Sequence, residues 1–546
     1  MKRSLRIVDP GTPSRSRDVS RIAAIDIGSN SIRQLIADVS ADGTITTIDE
    51  LKAAPRLGAG VAATGELSEE SMSRAIEVLG RMALLARQRD CQRIEVVATS
   101  AVREASNGDA FAKLVRKHTG LRIRQLTGAE EARLSFRSAL AHFDVVARRS
   151  LVLDIGGGSV ELAFSANGVL ERLASLPIGA VRMTEQFPSA DVGRKGLRRL
   201  RRFIGRELRR AAPVRDWRRA QVIGSGGTFT NLAGMALARR GLPSTPSVHG
   251  TEVLREEVEH ILESLAHMSR SERVHVDGLN NERADIIVAG LAVVAELLAW
   301  LDARDVVVSR YGIREGIILE SARVSPRAAD PGAARARSVI ELAERCRYDA
   351  AHAHHVKDLA LQLFDGLGER LSLTDDDRAI LADAALLHDI GYHIGYDKHH
   401  KHSCHIIQHA ELLGTSPVEQ MMIASVARYH RGARPRRKHR PFGTLDKQTR
   451  RRIRRLAALL RIADGFDRGH VGAVAKLTTR CLARAIRITP TPATGAQSLR
   501  LELWGASRKV ALLEREMGLP IELVDPAGGR YEVDAPAPDA VGELAS

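Results

Sequence analysis

Apolar runs that end in glycine alternate with helical patterns along the N-terminal part of the chain. The runs RIAAIDIG (21–28) and LVLDIGG (151–157) have the continuous apolar character of strands buried on both faces. The segment SEESMSRAIEVLGRMALLARQR (68–89) places apolar residues at helical spacing behind a serine and an acidic pair, which predicts a capped helix. Segments 93–107 and 220–237 each predict a strand, a turn and a helix. Strands that alternate with helices predict an α/β fold.

The pattern changes after ARVSPRAADPGAARAR (322–337), a stretch rich in proline, glycine, alanine and arginine that predicts a linker. Residues 338–470 then have helical spacing almost throughout. The runs LRLELW (499–504) and IELV (521–524) predict a return to strands. The apolar run at 286–301 contains Glu296, so we expect a buried helix there rather than a membrane span.

These changes divide the chain into two tails and four folded parts. The expected bounds are 1–20 for a disordered basic tail, 21–150 and 151–325 for two α/β halves, 335–480 for a helical domain, 481–530 for a small α+β domain and 531–546 for a loose tail. Residues 1–20 lack the apolar segment of a signal peptide. The four cysteines are widely scattered and form no CxxC pair, so we expect a cytoplasmic protein without disulfides.

The charge of the chain points to a class of partner. The 546 residues include 82 Lys and Arg against 66 Asp and Glu, a net charge of +16, which attracts polyanions. An arginine-rich compositional bias is the alternative explanation. The basic runs at 194–210, 434–441 and 447–455 are interleaved with few aromatic residues, so we do not expect nucleic-acid bases to stack there. A long polyanion such as inorganic polyphosphate is the expected partner, with affinity that falls as salt rises.

Two glycine-rich segments, IAAIDIGSNSIRQL (22–35) and SLVLDIGGGSVEL (150–162), follow the same pattern of apolar strand, aspartate and small-residue turn. Glycine lets a turn direct several backbone N–H groups at one anion, and serine hydroxyls add further donors. A third turn, GSGGT, occupies 224–228. The predicted phosphate-binding residues are Asp26, Gly28, Ser29, Asn30, Ser31, Gly156, Gly157, Gly158, Ser159, Gly226, Gly227 and Thr228. An aspartate at a strand end can hold Mg²⁺ or its water shell, and Asp154 is the predicted magnesium ligand.

Several motifs occur in an order that resembles the exopolyphosphatase and guanosine pentaphosphate phosphohydrolase family: DIGSNSIR, ATSAVREASN, LTGAEEARLSF, LDIGGGSVEL, LPIGAVRMTE, IGSGGTFTNLA and SRYGIREGII. The resemblance covers about 21–320 strongly and continues more weakly to about 525. It implies two duplicated actin-like domains of the sugar-kinase and Hsp70 ATPase (ribonuclease-H-like) fold. A helical HD-like domain and a small α+β domain are expected to follow them.

The same resemblance implies roles for individual residues. Glu131 in TGAEEARLSF resembles the general base, with Glu130 as its catalytic neighbour, and Glu161 resembles a second catalytic carboxylate. Arg103 is the expected phosphate clamp, because a guanidinium binds phosphate through two parallel hydrogen bonds. Arg33 and Arg314 are further candidates. On pattern alone, an adjacent glutamate pair also fits a solvated helix N-terminus.

Twelve of the nineteen histidines lie between His352 and His439. The segments that contain them resemble HD-domain metal phosphohydrolases, whose order of a His, a His-Asp pair and a distant Asp is filled here by His352, His388, Asp389 and Asp464. The resemblance adds His402 and His430 as further ligands of a second metal. Imidazole and carboxylate ligands suit Mn²⁺, Fe²⁺ or Mg²⁺. A domain that only binds the polyanion remains the alternative.

The sequence therefore predicts an exopolyphosphatase that uses Mg²⁺ and a carboxylate-activated water, and the resemblance implies a homodimer. Hydrolysis of guanosine pentaphosphate is the alternative within the same enzyme class, and the motifs do not separate the two substrates. An HD-type metal phosphohydrolase with an actin-like sensor is another alternative. A kinase or chaperone-like ATPase and a non-catalytic sensor are the rivals from other classes.

Overall fold

The structure is a computed structural model that describes residues 19–531 except 42, 144, 146–148, 189–193, 212–216, 243–247, 325–330, 411, 413 and 441. The predicted tails therefore lie almost wholly outside the described residues. The chain forms two compact units. The first contains the described residues within 1–232, 252–275 and 279–329, and the second contains those within 233–251, 276–278 and 330–546.

The first unit contains two sheets built on the same plan. The first sheet has the order β3-β2-β1-β4-β5, with β1, β2 and β3 antiparallel and β1, β4 and β5 parallel. Its strands are β1 (Ser20–Ile27), β2 (Ile32–Val39), β3 (Ile45–Ala53), β4 (Arg93–Ala98) and β5 (Ile123–Gln125). The strand RIAAIDI is almost wholly apolar because it is the central strand and both of its faces are covered.

The second sheet repeats that order as β8-β7-β6-β9-β11 and adds β10 at its edge. Its strands are β6 (Ser150–Ile155), β7 (Val160–Ala166), β8 (Val169–Leu176), β9 (Gln221–Ser225), β10 (Thr251–Leu254) and β11 (Asp305–Val308). The repeated strand order and pairing directions confirm the predicted duplication of an actin-like α/β domain.

The helices of the N-terminal region cover the faces of these sheets. They are α1 (Val61–Thr64), α2 (Glu69–Gln88), α3 (Ser100–Glu104), α4 (Gly108–Thr119), α5 (Gly128–His142), α6 (Ala180–Gln186), α7 (Arg194–Ala211), α8 (Gly227–Arg239), α9 (Arg255–Ala266), α10 (Arg270–Arg273), α11 (Ile287–Leu301) and α12 (Ile313–Ser321). Ser68 caps α2 through its side chain, as the sequence predicts. The run at 286–301 forms the buried helix α11, and no described helix is long and apolar enough to cross a membrane.

Helix α12 belongs to the predicted second half by its position in the sequence, but it packs against the first sheet. Ile317 and Ile318 of α12 belong to the same buried cluster as Ile22, Leu35 and Val97 of the first sheet. The predicted second half, 151–325, thus supplies a covering helix to the first half.

The second unit is mainly helical around one apolar core. Its helices are α13 (Pro331–Arg345), α14 (Ala350–Leu367), α15 (Asp375–Leu387), α16 (His399–His409), α17 (Pro417–Arg428), α18 (Lys447–Gly465), α19 (Arg500–Ser507) and α20 (Ala511–Met517). A three-stranded sheet of β12 (Val474–Cys481), β13 (Ile486–Pro492) and β14 (Ile521–Leu523) completes it. The sheet begins before the predicted boundary at 481.

The prediction of a strand at LRLELW is wrong, because these residues begin helix α19. Leu499 and Leu503 are buried whereas Leu501 is exposed. Apolar residues four apart face the core from one side of a helix, and the apparent alternation of apolar and polar residues is therefore coincidental. The prediction of a strand at IELV is confirmed by β14.

Candidate active site

The two glycine-rich segments form equivalent turns at the ends of β1 and β6. The N–H of Gly28 donates to the carbonyl of Ser31 (3.1 Å), and the N–H of Gly156 donates to the carbonyl of Ser159 (3.0 Å). A Cβ added to Gly157 would lie 2.8 Å from the Cβ of Ser29, so only glycine permits this approach of the two turns. The sequence builds the same turn twice, and the two copies meet.

The turns border a cavity of about 110 Å³. Its lining includes most of the predicted phosphate-binding residues and both predicted acidic strand ends: Asp26, Gly28, Ser29, Asn30, Ser31, Glu131, Asp154, Gly156, Gly157, Ser159, Glu161, Gly226 and Gly227. Gly158 lines a smaller neighbouring cavity, and Thr228 is buried against Gly290 instead. The structure thus brings together residues that are up to two hundred positions apart in the sequence.

Carboxylates face one another across this cavity. Asp154 pairs directly with Glu161 across the β6–β7 hairpin, and Asp154 accepts a hydrogen bond from Ser135 (2.9 Å). Loss of hydration and then the charge of Asp154 raise the pKa of Asp26 to about 6. The Oδ1 atom of Asp26 is buried and has no hydrogen-bond partner among the described residues. Buried carboxylate oxygens that repel each other fit a hard, oxygen-binding cation such as Mg²⁺.

The adjacent glutamates Glu130 and Glu131 have different environments. Thr127 caps α5 in a capping box, in which the carboxylate of Glu130 accepts from the N–H of Thr127 (2.8 Å). The Glu130 side chain is therefore directed back towards the start of its own helix. It does not line the cavity, whereas the sequence predicts it as a catalytic neighbour of Glu131. Glu131 is the next residue, turned about 100° around the helix, and its buried carboxylate lines the cavity.

The pKa of Glu131 is raised by burial and by the nearby charge of Glu161, and Arg103 opposes this rise. Burial likewise raises the pKa of Glu161, which accepts a hydrogen bond from Ser175 (3.0 Å). The guanidinium of Arg103 pairs with the carboxylate of Glu131. Arg103 is not among the residues that line the cavity, so it holds Glu131 rather than occupying the predicted position of a phosphate clamp.

Four other guanidinium groups line the cavity. Arg33 and Arg314 are among the candidates found in the sequence, whereas sequence reasoning missed Arg283 and Arg310. Arg310 lies in the motif SRYGIREGII, four residues before Arg314, and could have been selected with it, whereas Arg283 lies in none of the recognised motifs. A Cβ on Gly227 would lie 1.9 Å from the Arg283 guanidinium, so the third glycine turn leaves the space that Arg283 occupies.

The histidine-rich segments form a second constellation in the C-terminal unit. The Nε2 atoms of His352 and His388 lie 3.3 Å apart, and Asp389 Oδ2 lies 3.5 Å from His388 Nε2. Asp464 Oδ1 lies 3.8 Å from His352 Nε2. These are the four residues of the predicted HD order, and the structure brings them together at the junction of α14, α15 and α18.

A second trio shares Asp389 with the first. His399 Nε2 and His430 Nε2 lie 3.2 Å and 3.4 Å from Asp389 Oδ1. His402, which the resemblance to HD domains predicts as a ligand, belongs to neither trio, whereas His399 belongs to the second. The reason is helical geometry: Ser403, four residues after His399, binds the backbone of Gly391 beside the cluster, and His402 is turned about 100° away from Ser403.

Comparisons with known proteins find matches to both parts of the chain. The profile of the Ppx/GppA phosphatase family matches residues 35–324, and that of Ppx/GppA phosphatase domain III matches residues 334–490. The crystal structure of an exopolyphosphatase from Cytophaga hutchinsonii is 26% identical, with a TM-score of 0.52 over 56% of this chain and 100% of that chain. An exopolyphosphatase-like protein is 28% identical, with a TM-score of 0.52 over 56% of this chain and 99% of that chain. The chain belongs to the Ppx/GppA phosphatase family.

Proposed function

We propose that the chain is an exopolyphosphatase that hydrolyses the terminal phosphate of inorganic polyphosphate in the cavity between the two glycine turns. One observation carries the choice of substrate. The lining consists of small, acidic and cationic residues with the aliphatic side chains of Ile155 and Ile313, and none of its described residues is Phe, Tyr or Trp. A chain of phosphates needs no aromatic surface, whereas a guanine base gains much of its binding energy from one.

The residues present support a division of labour. The backbone N–H groups and hydroxyls of the two turns bind the terminal phosphates, and Arg33, Arg283, Arg310 and Arg314 offset the negative charge of the transferring phosphoryl group. Asp26 and Asp154 are the residues that would hold Mg²⁺, which supplies further positive charge to the phosphate oxygens.

Glu131 accepts the proton of the attacking water. The water oxygen bonds to the terminal phosphorus, and the anhydride P–O bond breaks with its electron pair on the departing chain. Arg103 orients the Glu131 carboxylate and favours its ionised form, which is the form that accepts a proton. Glu161 lies beside it, where a second carboxylate can orient the water.

Phosphate release from long-chain polyphosphate and from guanosine pentaphosphate, with Mg²⁺, tests this function. The variants are Glu131→Gln and the double variant His388→Ala/Asp389→Ala, each checked for folding by circular dichroism. We expect a higher kcat/KM for polyphosphate, loss of activity in Glu131→Gln and retention of activity in the double variant. A preference for guanosine pentaphosphate would select the alternative substrate. Loss of polyphosphate hydrolysis only in the double variant would move the reaction to the histidine cluster.

A further inference from the structure

Helix α7 carries apolar residues on one face and cationic residues on the opposite face. The buried face includes four aliphatic side chains: Leu197, Leu200, Ile204 and Leu208. Every exposed residue between 195 and 210 is a lysine or an arginine: Lys195, Arg198, Arg199, Arg202, Arg206, Arg209 and Arg210. At about 100° per residue, these seven lie within an arc of about 120° around the helix axis. They form one continuous surface, which we call the α7 stripe.

Carboxylates neutralise little of the α7 stripe. The Glu207 carboxylate lies 3.5 Å from the guanidinium of Arg206 and 3.1 Å from that of Arg210. The other five members of the stripe form no ion pair with a carboxylate among the described residues. The surface therefore keeps most of its positive charge for an anionic partner.

The helix that carries the stripe is fixed to its neighbours. Arg201 lies off the stripe and donates two hydrogen bonds to Glu259 of α9 (2.7 and 2.8 Å) and one to Glu296 of α11 (2.6 Å). A Cβ on Gly205 would lie 3.1 Å from the Glu296 carboxylate, so α7 approaches α11 closely. The backbone under the cations is therefore ordered before a partner binds, which lowers the entropy cost of binding.

We propose that the α7 stripe binds the phosphate backbone of a double-stranded nucleic acid without sequence preference. An α-helix rises about 1.5 Å per residue, so the stripe is about 22 Å long. At one charge per about 1.7 Å of axis, a duplex of that length carries about thirteen phosphates, of which about half face one side. The number of phosphates that one side presents thus matches the number of cations on the stripe.

The composition of the stripe distinguishes a duplex from other anionic partners. The stripe contains no aromatic residue on which the bases of a single strand could stack, and no apolar residue that could insert into a lipid bilayer. A flexible polyphosphate chain would have to be straightened along the convex helix, whereas a duplex with a persistence length of about 150 base pairs is already straight. All but one of its members are arginines, whose guanidinium group binds phosphate through two parallel hydrogen bonds.

The exposed arc limits the stripe to contacts with the backbone. A helix that reads bases enters the major groove, whereas the cations of α7 occupy only about a third of its circumference and its opposite face is buried. Contacts with phosphates position a protein on a duplex but carry no sequence information. None of the seven residues is among the described residues that line the first cavity, so this binding is independent of the proposed hydrolysis.

Fluorescence anisotropy with a labelled duplex of about 20 base pairs tests the proposal, with DNA and RNA of the same sequence as separate arms. The logarithm of the binding constant falls with the logarithm of the salt concentration by about 0.9 per phosphate contact, so six or seven contacts give a slope of about −5 to −6. The variant Arg198→Gln/Arg202→Gln/Arg209→Gln removes three unpaired cations. We expect it to make the slope shallower by about three and to weaken binding about tenfold or more.

A matched control removes the same charge from another exposed, basic segment. The variant Arg434→Gln/Arg436→Gln/Arg437→Gln changes a loop of the second unit, and it should alter the slope by less than about one. Circular dichroism checks the folding of both variants. Equal effects of the two variants would show that net charge alone drives binding and would overturn the proposal.

Three further outcomes are decisive. A wild-type slope shallower than about −3 overturns the proposal, and this measurement does not depend on the folding of any variant. Competition by inorganic polyphosphate and by phosphatidylserine vesicles identifies other partners: if the α7 substitutions weaken binding to either of these more than binding to the duplexes, the proposal is overturned in favour of that partner. Binding to only one of the two duplexes supports the proposal and identifies the type of nucleic acid.

Discussion

Substitution of Glu131 and of Glu130 should have opposite consequences, although the two residues are adjacent and chemically identical. Glu131 is buried at the cavity, and a positioned general base contributes about 10²–10⁴-fold to a rate. At about 1.4 kcal/mol per tenfold, Glu131→Gln should therefore raise the activation free energy by about 3–5 kcal/mol. Burial and Glu161 raise the pKa of Glu131 despite Arg103, so the ionised group is disfavoured in the folded protein. Its neutral replacement should not lower the melting temperature.

Glu130→Ala removes the carboxylate that accepts from the backbone N–H and the hydroxyl of Thr127, both at 2.8 Å. Loss of such a cap costs about 1 kcal/mol, or a few degrees in Tm for a domain of this size. The catalytic rate should remain close to that of the wild type, because Glu130 does not line the cavity.

Phosphate release from polyphosphate under saturating Mg²⁺ gives kcat, and differential scanning calorimetry gives Tm for the same preparations. The expected result is a crossed pattern: Glu131→Gln is inactive and stable, and Glu130→Ala is active and slightly less stable. The assignment of the base is refuted if Glu131→Gln keeps more than about a tenth of the activity. It is also refuted if both variants lose activity equally.

Three further predictions concern the same cavity. The raised pKa of Asp26 means that, without Mg²⁺, folding stability falls by about 3 kcal/mol as pH rises from about 4 through about 6. Asp26→Asn should abolish this fall in stability, measured by urea denaturation at each pH. An unchanged pH dependence would contradict the assignment of the raised pKa to Asp26. Gly227→Ala should displace the flexible Arg283 guanidinium and so raise the KM for polyphosphate at nearly constant Tm. Gly179→Ala should lower both activity and Tm, because the added Cβ collides with the backbone of Gly158. Similar effects of the two substitutions would contradict this reasoning. The KM for polyphosphate should rise with salt, and a salt-independent KM would argue against guanidinium binding.

The sequence was sufficient to predict most of the residues that lie together at the cavity and in the histidine cluster, but not to choose between near neighbours in them. The turns after β1 and β6 are predictable because an apolar strand, an aspartate and glycines form one local pattern. The choice of Glu131 over Glu130 depends on a capping box, in which Thr127 takes up the first glutamate of the pair. TGAE does contain the capping signature of a threonine followed three residues later by a glutamate, so this distinction was within reach of the sequence.

The position of His399, rather than His402, beside Asp389 could not have been predicted in the same way. His399 and His402 both lie in HHKHSCHII, and either could face the cluster if the helix began one or two residues later. The helix begins at His399 after Lys398, whose positive φ of 55° ends the preceding turn, and this start fixes which histidine faces Asp389. Helix starts depend on tertiary contacts and are the least predictable feature of a local pattern.

The two hairpins that carry the glycine turns differ in the residue opposite the aspartate at the end of the first strand. Asp26 pairs with Arg33 across β1 and β2, and Asp154 pairs with Glu161 across β6 and β7. Two carboxylates at the Arg33 and Glu161 positions would add a further buried negative charge beside Asp26, Asp154 and Glu131, and would raise all of their pKa values. Two arginines would bind phosphate but leave no second carboxylate near the water. One of each would keep the cavity attractive to phosphate while the proposed base stays able to ionise, so we propose that duplication of the turn and divergence of this opposite residue both contribute to the chemistry of the cavity.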